Sequence, residues 1–184
     1  MHHTTIHKET LFSNGQTVGV GTPGYAAPEQ FIGGGAFCAT MTRFYSCRFM
    51  GNGNRTATNH VQRTTCGGGV VAFFARVMLT DCLVTNNYAE VLGGGLLACG
   101  SNACLTVQGG AIVDNDVGQK IPRGLNRIGG IVIMQNATAT INKATIARNG
   151  GEQLGAPHGS NMTTLTIIGC SVEGGARANA MNVS

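Results

Sequence analysis

Tryptophan is absent from the 184 residues, and only three tyrosines and four prolines occur. Charged side chains are also scarce, at 11%, where an ordinary soluble domain carries about 25%. So few charges do not suit a helical domain, and so few prolines beside a 42% apolar fraction argue against disorder. No apolar run approaches the roughly 18 residues that a membrane-spanning helix needs. The 12 Lys and Arg residues give a net charge of +4 but are scattered, with no basic run and no interleaved aromatics. Nucleic-acid binding is therefore not expected. The opening MHHTTIHKETLF has no apolar centre and does not read as a signal peptide. Its His2, His3 and His7 read as part of a polar terminus rather than as metal ligands.

What the chain has in quantity is glycine, 29 residues, together with Thr, Asn and Ala. These are arranged in a repeat. An apolar-x-x-Asn corner recurs at Leu11–Asn14, Phe49–Asn52, Val84–Asn87, Ile112–Asn115 and Ile146–Asn149, and a sixth corner, Val172–Gly175, has Gly in place of Asn. Three further columns align in the last five units. Five residues before the corner residue sit Cys47, Cys82, Gly110, Ala144 and Cys170, all small. Eight before it sit Phe44, Leu79, Val107, Ile141 and Ile167, and ten before it Thr42, Val77, Leu105, Ala139 and Leu165. The apolar columns step by two, which is the period of a strand. Repeats of 20–50 residues belong to solenoids, propellers and arrays. No unit holds a helical periodicity, which disfavours βαβ units and leucine-rich repeats, and a propeller blade needs about 40 residues and four strands. The predicted fold is all-β, a single-stranded parallel β-helix of about five to six rungs.

Glycine groups mark a second corner, at residues 33–35, 67–69, 93–95 and 129–130, each followed by an apolar pair or run. Glycine permits positive φ and close backbone approach. Asparagine is the other residue that tolerates the left-handed region. Asn52, Asn87, Asn115 and Asn149 are therefore expected in one column at positive φ, their amides stacked as a hydrogen-bonded ladder.

The pairing of GGGVV, GGGLL, GGAIV and GGIVI with apolar-x-x-Asn resembles the repeats of chlamydial polymorphic outer membrane proteins. More broadly it looks like right-handed parallel β-helices of the pectin-lyase type. The resemblance covers about residues 9–176 and implies a right-handed coil. The chain departs from those repeats in preferring Val and Ile to Phe at the corner, and it contains no autotransporter barrel. Residues 1–32 read as a partial first rung with an irregular connection, and 33–184 as rungs of a longer array or filament. Residues 53–66 and 117–128 read as loops leaving the coil.

The seven cysteines divide. Cys47, Cys82 and Cys170 fall in the inward small-residue column. Cys99 and Cys104 flank Gly-Ser-Asn-Ala and are expected within disulfide range. An odd count leaves at least one thiol unpaired or pairing between molecules. Sequons occur at Asn54, Asn136, Asn161 and Asn182, which would be glycosylated if the chain is exported.

β-Helix lyases and hydrolases use clustered Asp with Arg, Lys or calcium. Here three Asp and five Glu are spread over different columns. Asp114 and Asp116 flank Asn115 and offer at most a weak ion site. No triad spacing is present. No cofactor, metal or catalytic residue is therefore expected, and the chain is not read as an enzyme. Thr106, Thr140 and Thr166 should form an outward stack, with Thr138 and Thr164 beside it. The expected role is a structural or adhesive module of a cell surface or extracellular filament. Its partner would be itself or neighbouring β-helix segments end to end, with carbohydrate as a further candidate. A polysaccharide-binding or polysaccharide-cleaving β-helix is the alternative, and an ice- or surface-binding one the third.

Overall fold

The computed structural model describes residues 4–7, 10–12, 35–53, 66–118, 127–157, 164–174, 176–177 and 181–183. Within them the secondary structure is strand, with no helix. Three long sheets run the length of the stack. The first holds seven strands in chain order: Thr4–His7, Thr42–Tyr45, Arg76–Thr80, Cys104–Gln108, Thr138–Asn142, Thr164–Ile168 and Met181–Val183. The second holds six: Thr10–Phe12, Arg48–Met50, Leu83–Thr85, Ala111–Val113, Thr145–Ala147 and Ser171–Glu173. The third holds Ala36–Cys38, Val70–Phe73, Leu96–Cys99, Ile128–Met134, Glu152–Gly155 and Ala176–Arg177. Tyr88–Ala89 and Asp116–Val117 pair as a small fourth sheet. Every strand pairing is parallel and joins one coil to the next, for example Leu105↔Ala139 and Ile112↔Ile146. The chain therefore passes from third to first to second sheet and then repeats, which is a parallel β-helix.

The columns read from the sequence are the registers of the sheets. Phe44, Leu79, Val107, Ile141 and Ile167 stack in successive strands of the first sheet, and all are buried. Phe49, Val84, Ile112, Ile146 and Val172 stack in the second. Val70, Leu96 and Ile131 face the same interior from the third. Phe44 and Phe49 meet edge to face, centroids 5.0 Å apart. Each fully buried Leu, Ile or Phe contributes about 1.5–3 kcal/mol from removal of its surface from water. Thr42 is the polar intruder among these columns, and its hydroxyl donates to Thr40 O at 3.1 Å.

Alternate residues of the third sheet face the other way. Val71, Leu97 and Val132 join Leu92, Cys99 and Ile128 in a second buried apolar cluster on that sheet's outer side. The first sheet instead turns a polar face outward. There Thr106, Thr140 and Thr166 are in register, flanked by Thr138↔Thr164. The expected outward stack is present.

Candidate functional site

The most organised polar feature lies at the corner after the second sheet. Asn52, Asn87, Asn115 and Asn149 stack in one column and are nearly or fully buried. Asn52 donates from its backbone N–H (3.1 Å) and its Nδ2 (2.8 Å) to Asn87 Oδ1. Asn87 does the same to Asn115 Oδ1 at 3.1 and 2.9 Å, and Asn115 to Asn149 Oδ1 at 3.0 and 2.9 Å. The second hydrogen of each Nδ2 points back one coil, from Asn87 to Phe49 O, from Asn115 to Val84 O and from Asn149 to Ile112 O. Each of these amides thus satisfies its donors and its acceptor inside the protein, as burial requires.

One part of the expected account is overturned. None of the four ladder residues has positive φ. The left-handed residue is the one before, in the column Gly51 (66°), Asn86 (54°), Asp114 (57°), Arg148 (54°) and Gly174 (107°). The bend is made one residue early, which leaves the following residue free to aim its amide along the stack. The same device serves the small-residue corner. There Ser46 (51°), Asp81 (51°), Gly109 (67°), Lys143 (53°) and Gly169 (56°) precede Cys47, Cys82, Gly110, Ala144 and Cys170.

The glycine column has a matching reason. A Cβ on Gly35 would lie 2.8 Å from Asn52 Nδ2, on Gly69 3.2 Å from Asn87 Nδ2, on Gly95 3.1 Å from Asn115 Nδ2, and on Gly130 3.0 Å from Asn149 Nδ2. The same Cβ would also strike the carbonyl of the next coil. Glycine is needed here for space, not for φ. Gln153 stands beside Gly130 in the glycine column, and in the sequence Gly175 replaces the next corner asparagine. The Gln153 Oε1 accepts from Asn149 N (3.0 Å) and Nδ2 (2.9 Å), and its Nε2 donates to Asn149 O. A glutamine thus completes the ladder from the facing side. The sequence reading missed it, although the break at Gly175 was the signal to look for a substitute acceptor.

The acids are engaged by arginines. Arg148 grips Asp114 through Nε–Oδ1 (2.8 Å) and Nη2–Oδ2 (2.9 Å) across adjacent coils at an exposed position. That hydrogen bond holds the Asp114 carboxyl below its usual range. Arg127 Nη2 reaches Asp116 Oδ1 at 3.0 Å and Val117 O at 3.1 Å. Among the described residues no three His, Cys, Asp or Glu side chains gather as a metal group. Nor is any helix among them long and apolar enough to cross a membrane.

The expected Cys99–Cys104 disulfide is not formed, and all seven cysteines are thiols. Cys99 ends a strand of the third sheet, packs in its outer apolar cluster, and donates to Gln135 Oε1 at 3.2 Å. Cys104 begins a strand of the first sheet, in the outward row shared with Arg76 and Thr138. The turn brings the two backbones near each other but sends the side chains to different surroundings. In the small-residue column Cys47 and Cys82 are buried, as expected, and Cys170 is partly buried. Their sulfurs donate to nearby carbonyls, Cys47 to Tyr45 O, Cys82 to Phe44 O and Thr80 O, and Cys170 to Ile141 O and Ile168 O. Burial pushes the Cys38 thiol up to about 12 and those of Cys66 and Cys82 up to about 11.

Of the four sequons, Asn136 is exposed at a turn with φ 61°. Asn182 lies in the last strand, opposite Thr166. Asn54 and Asn161 lie outside the described residues, as do Asn14 and most of the two expected loops. Comparison of the chain with family models, curated proteins and solved structures finds no match.

Proposed function

We propose that the chain is a non-enzymatic structural or adhesive module of an extracellular or cell-surface filament, built as a right-handed coil of the pectin-lyase type and stacked end to end. The observation that carries this reading is the continuous in-register sheet from Thr4–His7 to Met181–Val183. Among the described residues each of these two strands has one neighbour, and a parallel strand added on its other side would continue the same ladder. Head-to-tail contacts between such edges are heterologous and propagate as open filaments unless they close a ring. The resemblance to the polymorphic outer membrane protein repeats supports a surface location.

Size-exclusion chromatography with light scattering on the isolated chain tests the proposal. The expected result is concentration-dependent, open-ended association. A stable monomer at tens of micromolar, with terminal strands protected from hydrogen exchange, overturns it. The in-register Thr106, Thr140 and Thr166 row favours one second reading, binding of a flat ordered surface such as ice. Thermal hysteresis lost in Thr140→Tyr would establish that reading in place of the first.

A further inference from the structure

The thiols of the small-residue column are not used by the ladder or by the proposed stacking, and two of them stand side by side on adjacent coils. The register Tyr45↔Thr80 and Arg48↔Leu83 places Cys47 directly opposite Cys82 on adjacent coils. The Leu83 N–H donates to Cys47 O at 2.8 Å, and the Cys82 sulfur donates to Phe44 O of the same neighbouring coil. Both are buried, at 0% and 4% exposure, and both point into the core. Neighbouring strands lie ~4.8 Å apart, inside the roughly 4.4–6.8 Å Cα span of protein cystines.

We propose that Cys47 and Cys82 are a redox-responsive pair that closes into a cystine tying the first complete coil to the second. The oxidant is a small disulfide such as glutathione disulfide. One protein thiolate attacks it, forming a mixed disulfide and releasing one glutathione thiolate. The second protein thiolate attacks the protein sulfur of that mixed disulfide and releases the second glutathione. Two protein thiols lose two protons and two electrons, and one glutathione disulfide becomes two glutathiones.

The rest of the column limits the chemistry to this pair. Cys170 is separated from Cys82 by Gly110 and Ala144, one coil each, and has no cysteine opposite it. The nearest competitor is Cys66 with Cys99, which share the outer apolar cluster. Cys99 there already donates to Gln135, and Cys66 sits beside Leu92 on the neighbouring coil. Burial shields the Cys47–Cys82 pair, so the folded chain should react slowly, and faster as rising pH creates thiolate.

The test uses the full chain refolded from the reduced state in graded mixtures of oxidised and reduced glutathione. Non-reducing peptide mapping should find one cystine, Cys47–Cys82, with the other five cysteines still open to alkylation. Closing this loop should raise Tm by on the order of 5–15 °C, reversibly on reduction. Cys82→Ala should abolish the rise, and the wild-type map decides the matter even if that variant folds poorly. Seven alkylatable thiols under the most oxidising condition, or a cystine between Cys66 and Cys99 instead, would overturn the proposal.

Discussion

Two corners of the coil use the same backbone bend and make opposite demands on the residue that follows it. After Gly51, Asn86, Asp114 and Arg148 the next residue is always asparagine, because its amide must both give and receive along the stack. After Ser46, Asp81, Gly109, Lys143 and Gly169 the next residue is Cys, Cys, Gly, Ala and Cys. There only size is constrained. Chemical identity is fixed where the side chain is a structural member, and left open where it merely has to fit.

Raising the pH acts on the buried thiols, Cys82 of the small-residue corner among them, and spares the ladder, because amides do not titrate and thiols do. The unfolded thiols lose their protons near 9.0, whereas Cys82 and Cys66 keep theirs to about 11 and Cys38 to about 12 when folded. Above pH 9 the unfolded chain therefore binds fewer protons than the folded one, so stability present below that pH is lost as pH rises towards 12. Denaturant titrations at about pH 8, 10 and 11 should show a monotonic fall. A flat profile would mean these thiols are not buried.

Asn115→Leu comes next. It leaves the Asn87 N–H and Nδ2 without their acceptor and takes from Asn149 Oδ1 its side-chain donor, the backbone N–H of residue 115 remaining, and should cost about 3 kcal/mol. Cys82→Ala at the other corner should cost no more than about 1 kcal/mol, since Ala144 already occupies that column. Equal costs in urea unfolding would erase the distinction between the corners. Gln153→Ala removes the last acceptor and the Nε2 donor to Asn149 O and should cost about 1–2 kcal/mol, with Gln153→Glu restoring the acceptor and recovering part of the loss. Arg148→Ala, at an exposed pair, should have the smallest effect, visible in Tm only at low salt if at all.

The inward columns were legible because a period of two, repeated coil after coil, marks one face of a strand in every unit. The ladder was legible for the same reason, through Asn52, Asn87, Asn115 and Asn149. Backbone conformation was only partly so: Gly51, Asn86 and Asp114 are residue types that reach a left-handed φ, whereas Arg148 carries no such mark and adopts it because the stack imposes it. The outer cluster was hidden too. Val71, Leu97 and Val132 look like continuations of the inward run, and only the sheet shows that they face away from it. Gln153 escaped because its role depends on a deletion elsewhere, the missing asparagine at Gly175. The cysteine spacing 99–104 misled, because proximity along a turn says nothing about which side of the sheet each sulfur takes.

The crossing from the asparagine ladder to the glycine column has a consequence for how such a chain can change. From Asn149 to Gln153 it takes 4 residues, and from Asn52 to Gly69 it takes 17, yet the first and second sheets keep their register throughout and the third shifts only between Ile128 and Ile131. Coil length and coil geometry are thus uncoupled at this crossing. An inserted peptide at the Asn52 crossing should be carried as cargo, whereas one extra residue in the Cys104–Gln108 strand would turn its buried side outward. This is where the scaffold can acquire new surface chemistry without being redesigned.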